Sequence, residues 1–148
     1  MANSWIHAVA TARHFKAGRP EDFIKVHEFI DSFKQSVADV RHRAFLHNSQ
    51  GPWMAQQVFG HVVSAEKWPL GSGKMVDIPI REVVESHIIE DLGWIPSPAD
   101  WASCMECQVW MGGKRNKFIG REELLDAKVD VLNPTRNTGG PTNGGLPA

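Results

Sequence analysis

The 148-residue sequence has no tyrosine and only two cysteines, Cys104 and Cys107. Two thiols exclude a disulfide framework, and a reducing compartment is the default for so few. An excess of charge is also missing: 16 basic and 17 acidic side chains leave a formal net charge of -1. That balance gives no electrostatic footprint for nucleic acid or an anionic membrane. No stretch approaches the run of about 18 apolar residues that a membrane-spanning helix needs. The N-terminal segment MANSWIHAVATARHF lacks a signal-peptide core, because His7, Arg13 and His14 interrupt it. Together these absences predict a cytoplasmic protein with no membrane span and no nucleic-acid partner.

What is present fits a single globular domain. Hydrophobic residues make up 42% and charged residues 22%, close to the globular average. The chain is long enough to bury a core without staples. Histidine stands out: there are seven, and all but His87 fall before residue 62. Neutral imidazole is a common metal ligand and general base, so the excess marks a candidate site.

Periodicity predicts a mainly α fold, with one long helix and a small inserted β-hairpin. Residues 1–18 form a partly helical N-terminal segment. Pro20-Glu21-Asp22 opens the long helix, with proline in the first turn and acids at the positive end of the dipole. Phe23, Val26, Ile30, Phe33, Val37, Val40 and Ala44 then alternate at spacings of three and four. The pattern predicts a helix to about Asn48, roughly 40 Å long, with part of its stripe covered by a second subunit. A short helix over Trp53–Phe59 follows. His61–Val63 and Lys74–Ile78 flank a glycine turn and predict the hairpin. Ile80 to Leu92 is the second strong helix, stopped by Gly93. Ser97-Pro98-Ala99-Asp100 starts another, to about Glu106, and Arg121–Lys128 is a further short helix. The domain is expected to span 1–132. Residues 133–148 form a Gly/Pro-rich tail, ordered only through an assembly partner.

The most constrained polar residues lie on the second strong helix. At about 100° per residue, His87 and Asp91 fall in the same sector as Ile80, Val83, Val84 and Ile88. An inward carboxylate must be paired with a neighbour, a cation or a metal, because burying it alone is expensive. On the long helix His27 and Asp31, four apart, share a face as metal ligands often do. His42 and His47 lie about 140° apart, so one straight helix cannot aim both at one ion. Cys104-x-x-Cys107 lacks a second pair, and Gly71-Ser72-Gly73-Lys74 lacks the spacing of a phosphate loop. The tryptophans are scattered, as packing anchors are.

The strings Asp39-Val-Arg41-His42-Arg43-Ala44-x-x-His47 and Glu85-x-His87-x-x-Glu90-Asp91-Leu92-Gly93-x-Ile95-Pro96 resemble a family of small, histidine-rich domains of unknown function found in bacteria and their phages. The resemblance covers about residues 7–111. It implies a residue set of His7, His27, Asp31, His42, His47, Glu85, His87 and Asp91, and no reaction. His14, His61 and both cysteines fall outside it. Family members carry a second histidine after the position of His47, where this chain has Asn48.

These readings give two expectations. The first is a metal-dependent hydrolase acting on a phosphoester or nucleotide-like substrate. His27, Asp31, His42, His47 and His87 would hold a divalent zinc or manganese ion. Glu85 or Asp91 would act as base, and Arg43 and Arg81 would grip the anionic group. The second is a non-catalytic bacterial or phage accessory protein, cytoplasmic or carried in the virion. It would form a homo-oligomer or larger assembly, and its His/Asp groups would be a structural network.

Overall fold

The computed structural model describes residues 3–111. Helix α1, Ser4–Phe15, is capped by Asn3, whose side chain accepts from the Ile6 amide. Helix α2, Pro20–Ile30, starts where the acids and proline predict, with Asp22 accepting from the Arg19 amide at 2.8 Å. It buries Phe23, Val26, His27 and Ile30 against α1.

The single long helix is not observed. The helix leaves α geometry at Asp31 and passes into a 3-10 turn, Ser32–Gln35. A second 3-10 turn, Val40–His42, leads into the single-turn helix α3, Arg43–Leu46. Serine and aspartate explain the break. Asp39 adopts an extended conformation, and its side chain accepts from the Arg41 amide at 2.9 Å. That bond competes with a helical i→i−4 bond, and Ser32 and Ser36 have weak helix propensity. Beyond the break the stripe no longer lies along the core: Phe33 packs against it in part, and Val40 is exposed. With α2 ending at Ile30, no continuous 40 Å helical stripe is present for a second subunit to cover.

Helix α4, Gly51–Phe59, has Pro52 in its first turn and ends at Gly60. Strands β1, Val62–Glu66, and β2, Met75–Pro79, then pair antiparallel with Val62 opposite Pro79 and Glu66 opposite Met75. The Glu66 carboxylate closes the hairpin by accepting from the amides of Gly71 and Gly73. Helix α5 spans Ile80–Leu92 and ends on Gly93 at φ 80°, the left-handed cap that glycine favours. Helix α6, Pro98–Ser103, is shorter than the sequence predicts. The fold is thus mainly helical with a small hairpin inserted before α5.

The core lies where α2 meets α1, α4 and α5. Phe23, Ile30, Leu46, Ile80, Val83, Val84 and Ile88 are its largest apolar side chains. Among the described residues no helix is long and apolar enough to cross a membrane. The chain divides into a unit ending at Ala102 and one beginning at Ser103. Cys104 and Cys107 belong to the second and form no disulfide. The helix expected at 121–128, the boundary at 132 and the tail lie outside the described residues.

The joint between α3 and α4 is tight. A Cβ placed on Gly51 would lie 2.0 Å from the carbonyl oxygen of Leu46. Alanine favours helix over glycine, yet here it must displace backbone. Gly51→Ala is therefore expected to lose about 1–3 kcal/mol of stability, read from urea unfolding midpoints. A variant as stable as the parent would show that the joint is loose.

Candidate metal centre

Four segments of the body deliver polar groups to one buried shell. Each sits there for a local reason. On α1, Ser4, His7 and Thr11 recur at spacings of three and four, a polar stripe on the inner face of the helix. On α2, His27 is buried one turn before Asp31, which ends the helix. The break after Asp31 lets the chain double back, so that His42 and His47, on either side of α3, also point inward. On α5, His87 and Asp91 occupy the inner sector, as the helical spacing predicts.

The inner atoms are the Nε2 nitrogens of His47 and His87, Oδ1 of Asp31 and Oδ2 of Asp91. His47 Nε2 lies 3.2 Å from His87 Nε2 and 3.0 Å from Asp91 Oδ2. Both histidine nitrogens are 3.5 Å from Asp31 Oδ1, and His87 Nε2 is 3.5 Å from Asp91 Oδ2. All four ligand atoms lie within 4.8 Å of one another. His42 Nε2 approaches the same Asp31 oxygen at 3.5 Å. This buried His/Asp group could hold a metal ion.

Asp31 Oδ1 is buried and has no hydrogen-bond partner. His42 Nε2 has none either, and its Nδ1–H donates to the Asp39 carbonyl at 2.7 Å. A neutral His42 therefore turns a lone pair toward a carboxylate lone pair. Two such acceptors side by side call for a shared cation.

The outer oxygens of the two carboxylates are anchored. Lys34 donates to Asp31 Oδ2 at 2.7 Å, and the Ser4 hydroxyl donates to it at 3.3 Å. Arg43 lies 3.2 Å from Asp91 Oδ1, and His7 Nε2 lies 3.4 Å from it. Each aspartate thus leans one oxygen on a cation and turns the other toward the histidines.

The pKa shifts follow from these contacts. Burial alone would raise both aspartates, but His87 and Lys34 hold Asp31 well below the usual carboxylate range. His47, His7 and His87 do the same for Asp91. Burial would lower His7, but hydrogen bonds to Asp91 and Glu90 outweigh it and raise it to about 9. His27 is pushed down to about 3 by burial, with His87 and His7 adding to the effect. His47 is also lowered, mainly by burial and against the pull of Asp91. His27 and His47 are thus held toward the neutral form, the form in which imidazole binds metal.

Some residues predicted for the site lie elsewhere. Glu85 is about 200° round α5 from His87 and pairs with Arg81 at 2.7 Å on the solvent face. Neither belongs to the buried group, so Glu85 is not a base there and Arg81 does not grip a ligand there. His27 is buried, but Nδ1 faces His87 Nδ1 at 2.8 Å and Nε2 faces Thr11 Oγ1 at 2.9 Å. With both nitrogens engaged it stands behind His87, not among the ligand atoms. Asp91, expected as a base, contributes an inner oxygen to the group. Thr11 and Glu90 were not singled out from the sequence. The signal for Thr11 was the polar stripe on α1, legible only once that helix is known to be buried on that side.

The chain belongs to the family described as a domain of unknown function (DUF6915), whose model matches residues 2–111. No curated protein and no solved structure matches the chain.

The placement of Glu85 yields a direct expectation. Glu85→Gln should leave both the melting temperature and the shift caused by added zinc unchanged in differential scanning fluorimetry. A lost zinc response would return Glu85 to the site.

Proposed function

We propose that this member of the DUF6915 family binds one divalent transition ion through Asp31, His47, His87 and Asp91. We further propose that it uses the ion as a metal-dependent hydrolase of a phosphoester or nucleotide-like substrate. The spacing of the inner atoms carries the metal reading. Zinc ligands about 2.0–2.2 Å from a tetrahedral ion stand roughly 3.3–3.6 Å from one another. Five of the six separations among these atoms, from 3.0 to 3.5 Å, lie near that range. Two imidazoles and two carboxylates suit zinc or manganese.

A bound divalent ion would supply Lewis acidity, polarising a phosphoryl oxygen and acidifying water. The chain's own residues prepare for that. Lys34 and Arg43 steady the two aspartates and give the rim of the centre a positive character. The Arg43 Nε is buried without a partner, a free donor beside Asp91 that suits an anionic oxygen. His7 holds Asp91 from the other side and is itself held by Glu90 at 2.5 Å.

One observation favours a second reading. His47 and His87 are fully buried, and Asp31 and Asp91 nearly so. Four protein ligands complete a tetrahedron, and closed sites of that kind are structural. The ion would then staple α2, α3 and α5 together in a non-catalytic accessory protein.

The test begins with elemental analysis of protein purified without a polyhistidine tag or chelator. One zinc or manganese per chain is expected. His87→Ala should lose it and His14→Ala should keep it. Metal at one hundred times its Kd should add about 2.7 kcal/mol of stability. Protein that carries no metal, and whose melting temperature ignores added zinc and manganese, would overturn the metal reading. Metal-dependent cleavage of bis-(p-nitrophenyl) phosphate, weakened in Arg43→Ala, supports the hydrolase. Chelator-induced unfolding with no turnover supports the staple.

A further inference from the structure

The group around His87 contains a proton chain that the ligand set does not use. His87 Nδ1 faces His27 Nδ1 at 2.8 Å, and His27 Nε2 faces Thr11 Oγ1 at 2.9 Å. All three residues are buried. Two Nδ1 nitrogens in hydrogen-bond contact share one proton, since two protons would clash and none would set lone pair against lone pair.

We propose that Thr11 and His27 are positioning residues that fix the tautomer and ring orientation of His87, so that its Nε2 presents a lone pair to a metal ion. The inference rests on the metal reading above. If His87 Nε2 is a ligand, a neutral His87 must carry its proton on Nδ1. That proton then points at His27 Nδ1, which must accept. His27 in turn carries its proton on Nε2 and donates it to the Thr11 hydroxyl. The far end of the chain therefore decides the near end. An acceptor at position 11 stabilises the tautomer of His27 that leaves His87 ready to bind. Without it, His27 gains by moving its proton to Nδ1. His87 must then accept on Nδ1 and carry its own proton on Nε2, where an ion would sit.

The ring is fixed in space as well as in tautomer. The His7 ring stacks on His87 with centroids 4.0 Å apart and planes 24° from parallel. A metal-bound histidine that donates its other N–H to a protein acceptor is a common device for orienting a ligand. Losing the outer partner typically weakens metal binding 10–100-fold. The unusual feature here is the acceptor, a second histidine whose own tautomer is set one residue further out.

The experiment titrates the full chain with zinc against a chromophoric chelator, using wild type, Thr11→Val and Thr11→Ser. Thr11→Val keeps the shape and removes the acceptor. It should bind zinc about 10–100-fold more weakly, and Thr11→Ser should restore most of the affinity. Long-range nitrogen–proton NMR of the zinc-loaded wild type should show His87 protonated on Nδ1 and His27 on Nε2. The cobalt(II) form of Thr11→Val should show an altered visible spectrum. Wild-type affinity with an unchanged spectrum in Thr11→Val would overturn the proposal, as would His87 protonated on Nε2. If Thr11→Val does not fold, His27→Gln and His27→Leu decide. Gln offers an amide oxygen to His87 and an amide N–H to Thr11, so it should bind zinc more tightly than Leu; equal affinities would overturn the proposal. A wild type that takes up no metal defeats the metal reading itself. A wild type that binds, with variants that bind equally well, defeats this inference alone.

Discussion

Two aspartates share a buried shell with five imidazoles, and the rest of the body is arranged around that fact. An ionised carboxylate withdrawn from water loses several kcal/mol of solvation unless a cation or strong donors replace the water. The structure answers this on one side of each carboxylate. Lys34 holds the outer oxygen of Asp31, and Arg43 with His7 holds that of Asp91. The inner oxygens remain, turned toward the buried imidazoles of His42, His47 and His87, and burial lowers the pKa of His47. A shell with anchored anions outside and converging lone pairs inside is stable only if something positive occupies its middle, a proton or a metal ion. Anchored ligands with oriented outer partners are what a metal centre requires of its protein.

The chain path follows from the same constraint. His42 and His47 diverge on a continuous helix, and neither could meet His27 and Asp31 from further along one axis. Breaking the helix after Ile30 and restarting it as α3 turns one strip of sequence into two walls of the shell. The hairpin between α4 and α5 then returns the chain so that α5 crosses α2 with His87 and Asp91 inward. Gly51, pressed against the Leu46 carbonyl, is the sharp corner that lets α4 leave the end of α3.

This explains what could be read in advance. Helix α5 and the inward pair His87 and Asp91 were legible because one amphipathic helix fixes its own faces. The hairpin and the glycine stops were legible because turn chemistry is local. The single long helix does not form, because an apolar three-four spacing fixes neither the burial of each side chain (Val40 is exposed) nor whether the backbone between them stays helical. Asp39 and the two serines were the countersignal. Asp31 and His47 are joined in the sequence by residue type and resemblance, not by geometry, since their meeting depends on a break that periodicity conceals. Glu85 was drawn in by its place in the family-like string, although its angle on α5 already set it opposite His87.

The burial of the centre also bears on what it can do. A tetrahedral ion held by four protein ligands has no position left for substrate. Hydrolysis there would require the coordination to expand or one ligand to yield. Of the four residues that would hold an ion, Asp91 has the least buried side chain. Arg43 and His7 already share its charge through the other oxygen. His87 is stacked on His7 and tied through His27 to Thr11. The group is thus walled by α1, α2 and the face of α5 at His87, and Asp91 stands on the side where Arg43 lies. An anionic group approaching the centre would meet Arg43 on that side.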